Sequence, residues 1–128
     1  MLIKVCVSKI HRATVTQAEL NYVGSITIDK VLMQKAGIKP YQMVNVNNIS
    51  NGVHWETYAL EGPAYKGGIC LNGPPARNFH PGDLVVIVAD AYIEPKEYKK
   101  INPVVVFVDA KNKITKVVKH KTIDHTRG

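Results

Sequence analysis

Hydrophobic and polar positions alternate with a period of two over most of the chain. Residues 2–7 read as a first strand, and in the segment that follows Ala13 and Val15, alternating with Thr14 and Thr16, favour extended structure. Leu20 to Val23 reads as a strand, and Ile26 and Ile28 alternate with Thr27 and Asp29 in the next. In "QMVNVNNI" the pattern offers Met43, Val44, Val46 and Ile49 to the core. Asn51-Gly52 is the strongest hairpin signal, and "VHWETYAL" is its return strand. "ICL" is a short strand, and "LVVIVADAYI" is apolar enough to be central. "VVVFV" at 104–108 and "ITKVVKH" at 114–120 complete the set.

One stretch has a different period. "KVLMQKA" places Val31, Leu32 and Ala36 on one side of a short helix. Asp29 is its expected N-cap, Gly37 closes it and Pro40 forbids continuation. Pro81-Gly82-Asp83 is a turn, and "EGPAYKGG", "NGPPARNFHPGD" and "EPKEYKKINP" are connections. Six to eight short strands, one clear helix and many turns predict a mainly β domain. Closure into a small barrel would remove exposed strand edges. Pattern alone leaves a β-sandwich open.

The 128 residues fit one domain, and 45% hydrophobic content suffices for a core. Leu84–Ala89 is the longest apolar run, far below the roughly 20 residues of a membrane span. The N-terminus reads as a strand and not as a signal peptide, so a cytoplasmic location is expected. Cys6 and Cys70 lie in apolar runs and read as buried free thiols. The five histidines form no ligand-spaced pair, so no metal is expected.

The net charge of +7 raises nucleic-acid binding as a question. Residues 111–128 carry five lysines and one arginine against Asp124 alone, whereas the first 110 carry eleven basic and nine acidic residues. The excess therefore belongs to a basic C-terminal tail, 111–128, appended to a barrel of residues 1–110. A solvated tail is the simpler reading. A non-enzymatic barrel that binds nucleic acid through that tail is the rival from another class.

Gly24-Ser25 interrupts two strand-like runs without an Asn-Gly or Asp-Gly pair. By itself it is a turn. It also has a chemical option, because a serine hydroxyl can attack the preceding carbonyl carbon. Elimination and hydrolysis would then leave a ketone where the serine stood. A glycine before it permits close approach and unusual backbone angles.

Several motifs in register carry a resemblance over residues 1 to about 92. They are "SKIHRATVT" at 8–16, "LNYVGSITID" at 20–29, "NNISNG" with "ETYAL" within 47–60, "GGICLNG" at 67–73 and "GDLVVI" at 82–87. In these the chain resembles the pyruvoyl-dependent aspartate decarboxylases, which make β-alanine for pantothenate. The resemblance implies a double-psi β-barrel with one or two short helices. It implies a zymogen that cleaves itself after Gly24 into a 1–24 β chain and a 25–128 α chain. The cofactor would be a covalent pyruvoyl group derived from Ser25, which forms a Schiff base with the substrate amine. A homotetramer with sites between subunits is implied, and the need for a maturation factor is left open.

The same resemblance assigns roles. Tyr22, Gly24, Ser25, Thr57 and Tyr58 match the processing set, and Tyr58 the proton donor. Lys9 resembles the cation near the substrate carboxylates. His11, Tyr22, Thr57, Asn72 and Gly73 match substrate-binding positions, with His54, Pro74 and Pro75 at three more. These last three positions make two departures from the family's pattern. His54 stands where the family has an arginine, and histidine is shorter with a pH-dependent charge. Pro74-Pro75-Ala76-Arg77 replaces an alanine-rich loop, and proline removes N–H donors. The loop "EGPAYKGG" also departs, and Lys66 or Arg77 are the cations nearest in sequence to compensate. A pyruvoyl enzyme for another amino acid is therefore the nearest rival.

Overall fold

The computed structural model describes residues 1–22 and 24–120. Nine strands form one sheet: β1 (Ile3–Thr14), β2 (Gln17–Glu19), β3 (Ser25–Asp29), β4 (Met43–Asn48), β5 (His54–Gly62), β6 (Ile69–Asn72), β7 (Leu84–Ile93), β8 (Val104–Val108) and β9 (Ile114–Lys119). Helix α1 (Lys30–Ala36) follows β3, and short 3-10 turns occupy Pro74–Arg77 and Pro95–Lys100. The strand order is β2-β6-β3-β5-β4-β7-β1-β8-β9. Pairs β1/β8, β2/β6 and β3/β5 are parallel, and the others are antiparallel.

That order forces the sheet to curl. β1 and β2 stand six places apart in it, yet only Val15 and Thr16 separate them in sequence. Six strand spacings in a flat sheet would be about 29 Å, whereas the short connection spans only about 10 Å. The two ends must therefore meet. Val15 N donates to Asp83 O and Thr16 N to Ile69 O, both at 2.8 Å, which ties the junction down. Strand β2 pairs with β6 just beyond it. The mainly β, barrel-like expectation is met.

One continuous core fills the interior, with Ile10, Ile26, Ile28, Val44, Val46, Leu71, Phe79 and Ile87 fully excluded from water. Phe79 comes from the loop after β6, so burying its ring pins that loop to the barrel; its loss would cost about 3–5 kcal/mol. Asp29 caps α1 as expected, its Oδ1 accepting from Val31 N at 2.8 Å, and Gly37 closes the helix at φ 73°. The same carboxylate accepts from Tyr65 N and Gly67 N, joining the helix start to the β5–β6 loop.

Three expectations change. The strand expected at Leu20–Val23 lies earlier, at Gln17–Glu19. Strand β6 ends at Asn72, opposite Glu19, and Gly73 turns away with its N–H on Glu19 O, so nothing remains for residues 20–22 to pair with. Val23 lies outside the described residues. Met43 and Ile49 are exposed, because β4 alternates so that Val44, Val46 and Asn48 point inward. The two cysteines are free but only half-buried.

Residues 114–119 form β9 on β8 in antiparallel pairing, as the alternation of "ITKVVKH" suggested. Asn112, in the turn before β9, is buried and donates through Nδ2 to Thr14 O and Gly67 O at 2.8 Å each. The boundary expected at residue 110 falls inside this hairpin. Residues 121–128 of the expected basic tail lie outside the described residues. Among the described residues, no helix is long and apolar enough to cross a membrane.

Candidate active site around Gly24 and Ser25

Ser25 opens β3 and is fully buried. It stands opposite Asn72 in the antiparallel ladder between β3 and β6, with Thr27 opposite Cys70. Asn72 Nδ2 donates to Ser25 Oγ at 2.9 Å and to Thr27 Oγ1 at 3.0 Å. Cys70 Sγ donates to Asn72 Oδ1 at 3.1 Å. Residues two apart on a strand share a face, so these four side chains form a cross-strand cluster beneath the Gly24-Ser25 bond. A hydroxyl accepting an N–H bond at this depth has its oxygen held in place.

The backbone beside that bond is equally confined. Gly73 has φ 80° and ψ −145°, a region that strains any residue with a Cβ. A Cβ placed on it would fall 2.8 Å from both Gly24 Cα and Tyr22 O. Pro74 Cδ lies 3.7 Å from where a Gly24 Cβ would be. Pro75 and Ala76 are buried, and Ala76 N donates to Gly73 O at 2.9 Å. Proline suits the start of a 3-10 turn because the first N–H groups there lack partners. The departure at 74–75 therefore builds a rigid wall over Gly24, without the N–H donors another residue would offer.

Strand β5 brings two more groups. Its parallel register with β3 starts at Ile26 opposite Ala59, so Thr57 and Tyr58 lie at the same end of the pair as Gly24 and Ser25. Thr57 is buried, and the half-buried Tyr58 ring stacks on Tyr41, with centroids 5.7 Å apart and planes at 16°. Tyr41 is exposed and sits at φ 68°, unusual for a bulky residue.

Other expected site residues lie elsewhere in this one chain. Lys9 and His11 belong to β1, four places from β3 in the sheet order. Lys9 is exposed. The His11 ring meets Phe107 edge-on at 5.5 Å, at the wall of a cleft of about 340 Å³. His54 is exposed at the start of β5, with Nδ1 2.7 Å from Asn47 Oδ1. Tyr22 is exposed beside Gly24. Among the described residues, no hydrogen bond or ion pair ties Lys9, His11 or His54 to Ser25. Thr27, Cys70 and Tyr41 were missed in the sequence. The period of two could have found the first pair, since each lies two residues from a chosen one. Nothing in the sequence pointed to Tyr41.

Burial pushes the Cys70 thiol above its ordinary value, and the Glu19 carboxylate pushes it further the same way. It is therefore a protonated donor at neutral pH.

Comparison with known proteins gives the family. The aspartate decarboxylase family model matches residues 1–115. The aspartate 1-decarboxylase of Lactiplantibacillus plantarum is 50% identical over 121 residues, covering 94% of this chain and 93% of that protein. That of Caldicellulosiruptor saccharolyticus is 55% identical over 117 residues, 91% of each chain. That of Pelotomaculum thermopropionicum is 50% identical over 117 residues, 91% of this chain and 89% of its own. Among solved structures, the rationally designed mkDPBB_sym1 protein aligns with 66% of this chain and 96% of its own, at 18% identity and a TM-score of 0.44. The chain belongs to the aspartate decarboxylase family.

Proposed function

We propose that the chain is a self-processing, pyruvoyl-dependent aspartate 1-decarboxylase that converts L-aspartate to β-alanine and CO2 for pantothenate biosynthesis. The observation that carries the reading is the buried Ser25 Oγ, held by Asn72 Nδ2 against a Gly24 backbone that Gly73 and Pro74 enclose. Family membership, with relatives named aspartate 1-decarboxylase at 50% and 55% identity, supports the substrate.

Ser25 Oγ attacks the Gly24 carbonyl carbon, and its proton passes to the departing nitrogen, turning amide into ester. Asn72 Nδ2 holds the attacking Oγ in place, and the Thr57 hydroxyl is the donor that supports the transient oxyanion on the Gly24 oxygen. Loss of the Ser25 α-proton expels the Gly24 carboxylate and leaves a dehydroalanine end. One water hydrolyses that end to the ketone and releases ammonia. The net reaction consumes one water per cleavage.

The residues present fit the group so produced: its position is walled by Gly73 and Pro74 and lined by Asn72, Thr57 and Tyr58. The pyruvoyl ketone supplies the electron sink for the pair left by departing CO2. Tyr58 Oη holds the proton destined for that carbon, and the Tyr41 ring fixes the phenol's plane. Tyr22 flanks the approach beside Gly24, and Lys9, His11 and His54 would reach the substrate carboxylates only from a neighbouring copy. Leu20, Tyr22, Tyr41 and Met43 are exposed and suit burial between copies, in keeping with a homotetramer whose neighbours complete each site.

A second reading keeps the mechanism and changes the amino acid. It is favoured by His54, whose Nδ1 is already engaged by Asn47, and by prolines 74 and 75, which offer no N–H to a carboxylate. Turnover assays of the matured protein against a panel of amino acids decide between them. Release of β-alanine from aspartate supports the first reading. Turnover of another amino acid with aspartate inert overturns it, and no CO2 from any amino acid overturns both.

A further inference from the structure

Asn72 faces two hydroxyls on one side and a thiol on the other, and its amide can be presented in two orientations. In the observed one both Nδ2 protons are used, on Ser25 Oγ at 2.9 Å and Thr27 Oγ1 at 3.0 Å, while Oδ1 accepts from Cys70 Sγ at 3.1 Å. In the flipped one Oδ1 would face the hydroxyls. Each hydroxyl can donate as well as accept, so the flipped amide would be satisfied too. It would tie up the Ser25 proton that has to pass to the departing nitrogen, and it would remove the N–H that holds Oγ in place. The hydroxyls alone do not choose between the two. The sulfur does, because a thiol is a usable donor and a poor acceptor of an amide N–H.

We propose that Cys70 is a positioning residue for self-cleavage: its S–H fixes the Asn72 amide with Nδ2 toward Ser25 Oγ. The assignment rests on the self-processing reading above and adds to it a residue that touches neither the scissile bond nor substrate. Three features support it. Cys70 and Asn72 share a face of β6, and Thr27 and Ser25 stand directly opposite them on β3, so the register holds all four groups together. The thiol is shielded and stands near the Glu19 carboxylate, both of which keep its proton in place. Cys70 is free, so no disulfide competes for the sulfur.

The test follows loss of the full-length chain in freshly made wild-type, Cys70→Ala and Cys70→Ser protein. One net hydrogen bond sets the scale, so Cys70→Ala is expected to cleave roughly 3- to 10-fold more slowly. Cys70→Ser restores a donor and should return to within about two-fold of wild type. Each change is also placed in a Ser25→Ala chain, which cannot cleave, and the thermal midpoint is measured there. An Ala variant as fast as wild type overturns the assignment. So does a Ser variant as slow as Ala, or slow cleavage that tracks a fall in midpoint. If the wild-type chain itself never cleaves, the self-processing reading falls. Exchange of the Asn72 side-chain amide protons then still tests the orientation: protection lost in Cys70→Ala and kept in Cys70→Ser supports it, and protection equal in all three overturns it.

Discussion

Gly73 and Gly24 are packed backbone to backbone: a Cβ on Gly73 would come 2.8 Å from the Gly24 Cα and 2.9 Å from its nitrogen. Nothing but glycine fits at 73 without moving the Gly24 backbone. Gly73→Ala should therefore slow cleavage after Gly24 by at least an order of magnitude. Gly82→Ala is the control. Its φ is 94°, but nothing lies within 4 Å of the added carbon. It pays only the conformational penalty of about 1–2 kcal/mol. A denaturing gel should show slow or absent cleavage for the first and wild-type cleavage for the second.

Asn72 is the donor on the attacking oxygen. Its bond holds the nucleophile in place, and misplacing a reacting atom by an ångström can cost roughly 100-fold, so Asn72→Ala should slow self-cleavage by about that factor. The fold should survive, since Asn72 ends its strand and its side chain bonds only Ser25, Thr27 and Cys70. Circular dichroism and the time course of band splitting check both halves.

Asp29 accepts from Val31 N, Tyr65 N and Gly67 N at 2.8, 3.2 and 2.7 Å. Asp29→Ala removes a helix cap and leaves a buried N–H of Gly67 unpaired. The expected loss is about 2–3 kcal/mol in urea unfolding. Because Asp29 lies at the far end of β3 from Ser25, protein that folds should still cleave.

Asp83 sets an acid limit on stability. The His80 N–H first, and then the Asn48 amide at 2.8 Å, hold its carboxyl below the ordinary value of 3.8. A depressed value in the folded state means its stabilisation is present above 3.8 and is lost as pH falls below 3.8 through the lower native value. Asp83→Asn should flatten the dependence of the thermal midpoint on pH below 3.8, while lowering the midpoint at neutral pH.

His54 is the expected weak point for an acidic substrate. Its ring is tied to Asn47 at 2.7 Å, whereas a guanidinium could meet a carboxylate with two bonds. His54→Arg should raise kcat/KM for aspartate by roughly tenfold, mainly through KM. An unchanged value would place carboxylate recognition elsewhere in the site.

Much of this was readable in the chain. The alternation that buries Val44 and Val46, the Asp29 cap and the Asn51-Gly52 hairpin are local rules, and they held. Met43 and Ile49 were misjudged because hydrophobicity was followed where phase decides: Asn48, which binds Asp83 and the Asn78 carbonyl, took the inward place. The Leu20–Val23 strand failed because pairing needs a partner, and β6 stops at Asn72. Within the site, Gly24, Ser25, Thr57, Tyr58, Asn72 and Gly73 were named from motifs and are brought to one end of the β3, β5 and β6 strands. Lys9, His11 and His54 were named the same way, but a single chain does not bring them to Ser25. Thr27 and Cys70 lie two residues from Ser25 and Asn72, a signal the period of two carries, whereas Tyr41 meets the Tyr58 ring across the fold and no linear pattern encodes that.

The central claim is that this chain cuts itself after Gly24 and keeps a ketone at residue 25. Intact mass of the purified, folded protein, before and after borohydride, tests it most directly. The account predicts two chains, residues 1–24 and 25–128, the longer one lighter by one ammonia than a serine-ended chain and gaining two hydrogens on reduction. A single unreduced mass for the full 128 residues, unchanged by warm incubation of assembled protein, would contradict it.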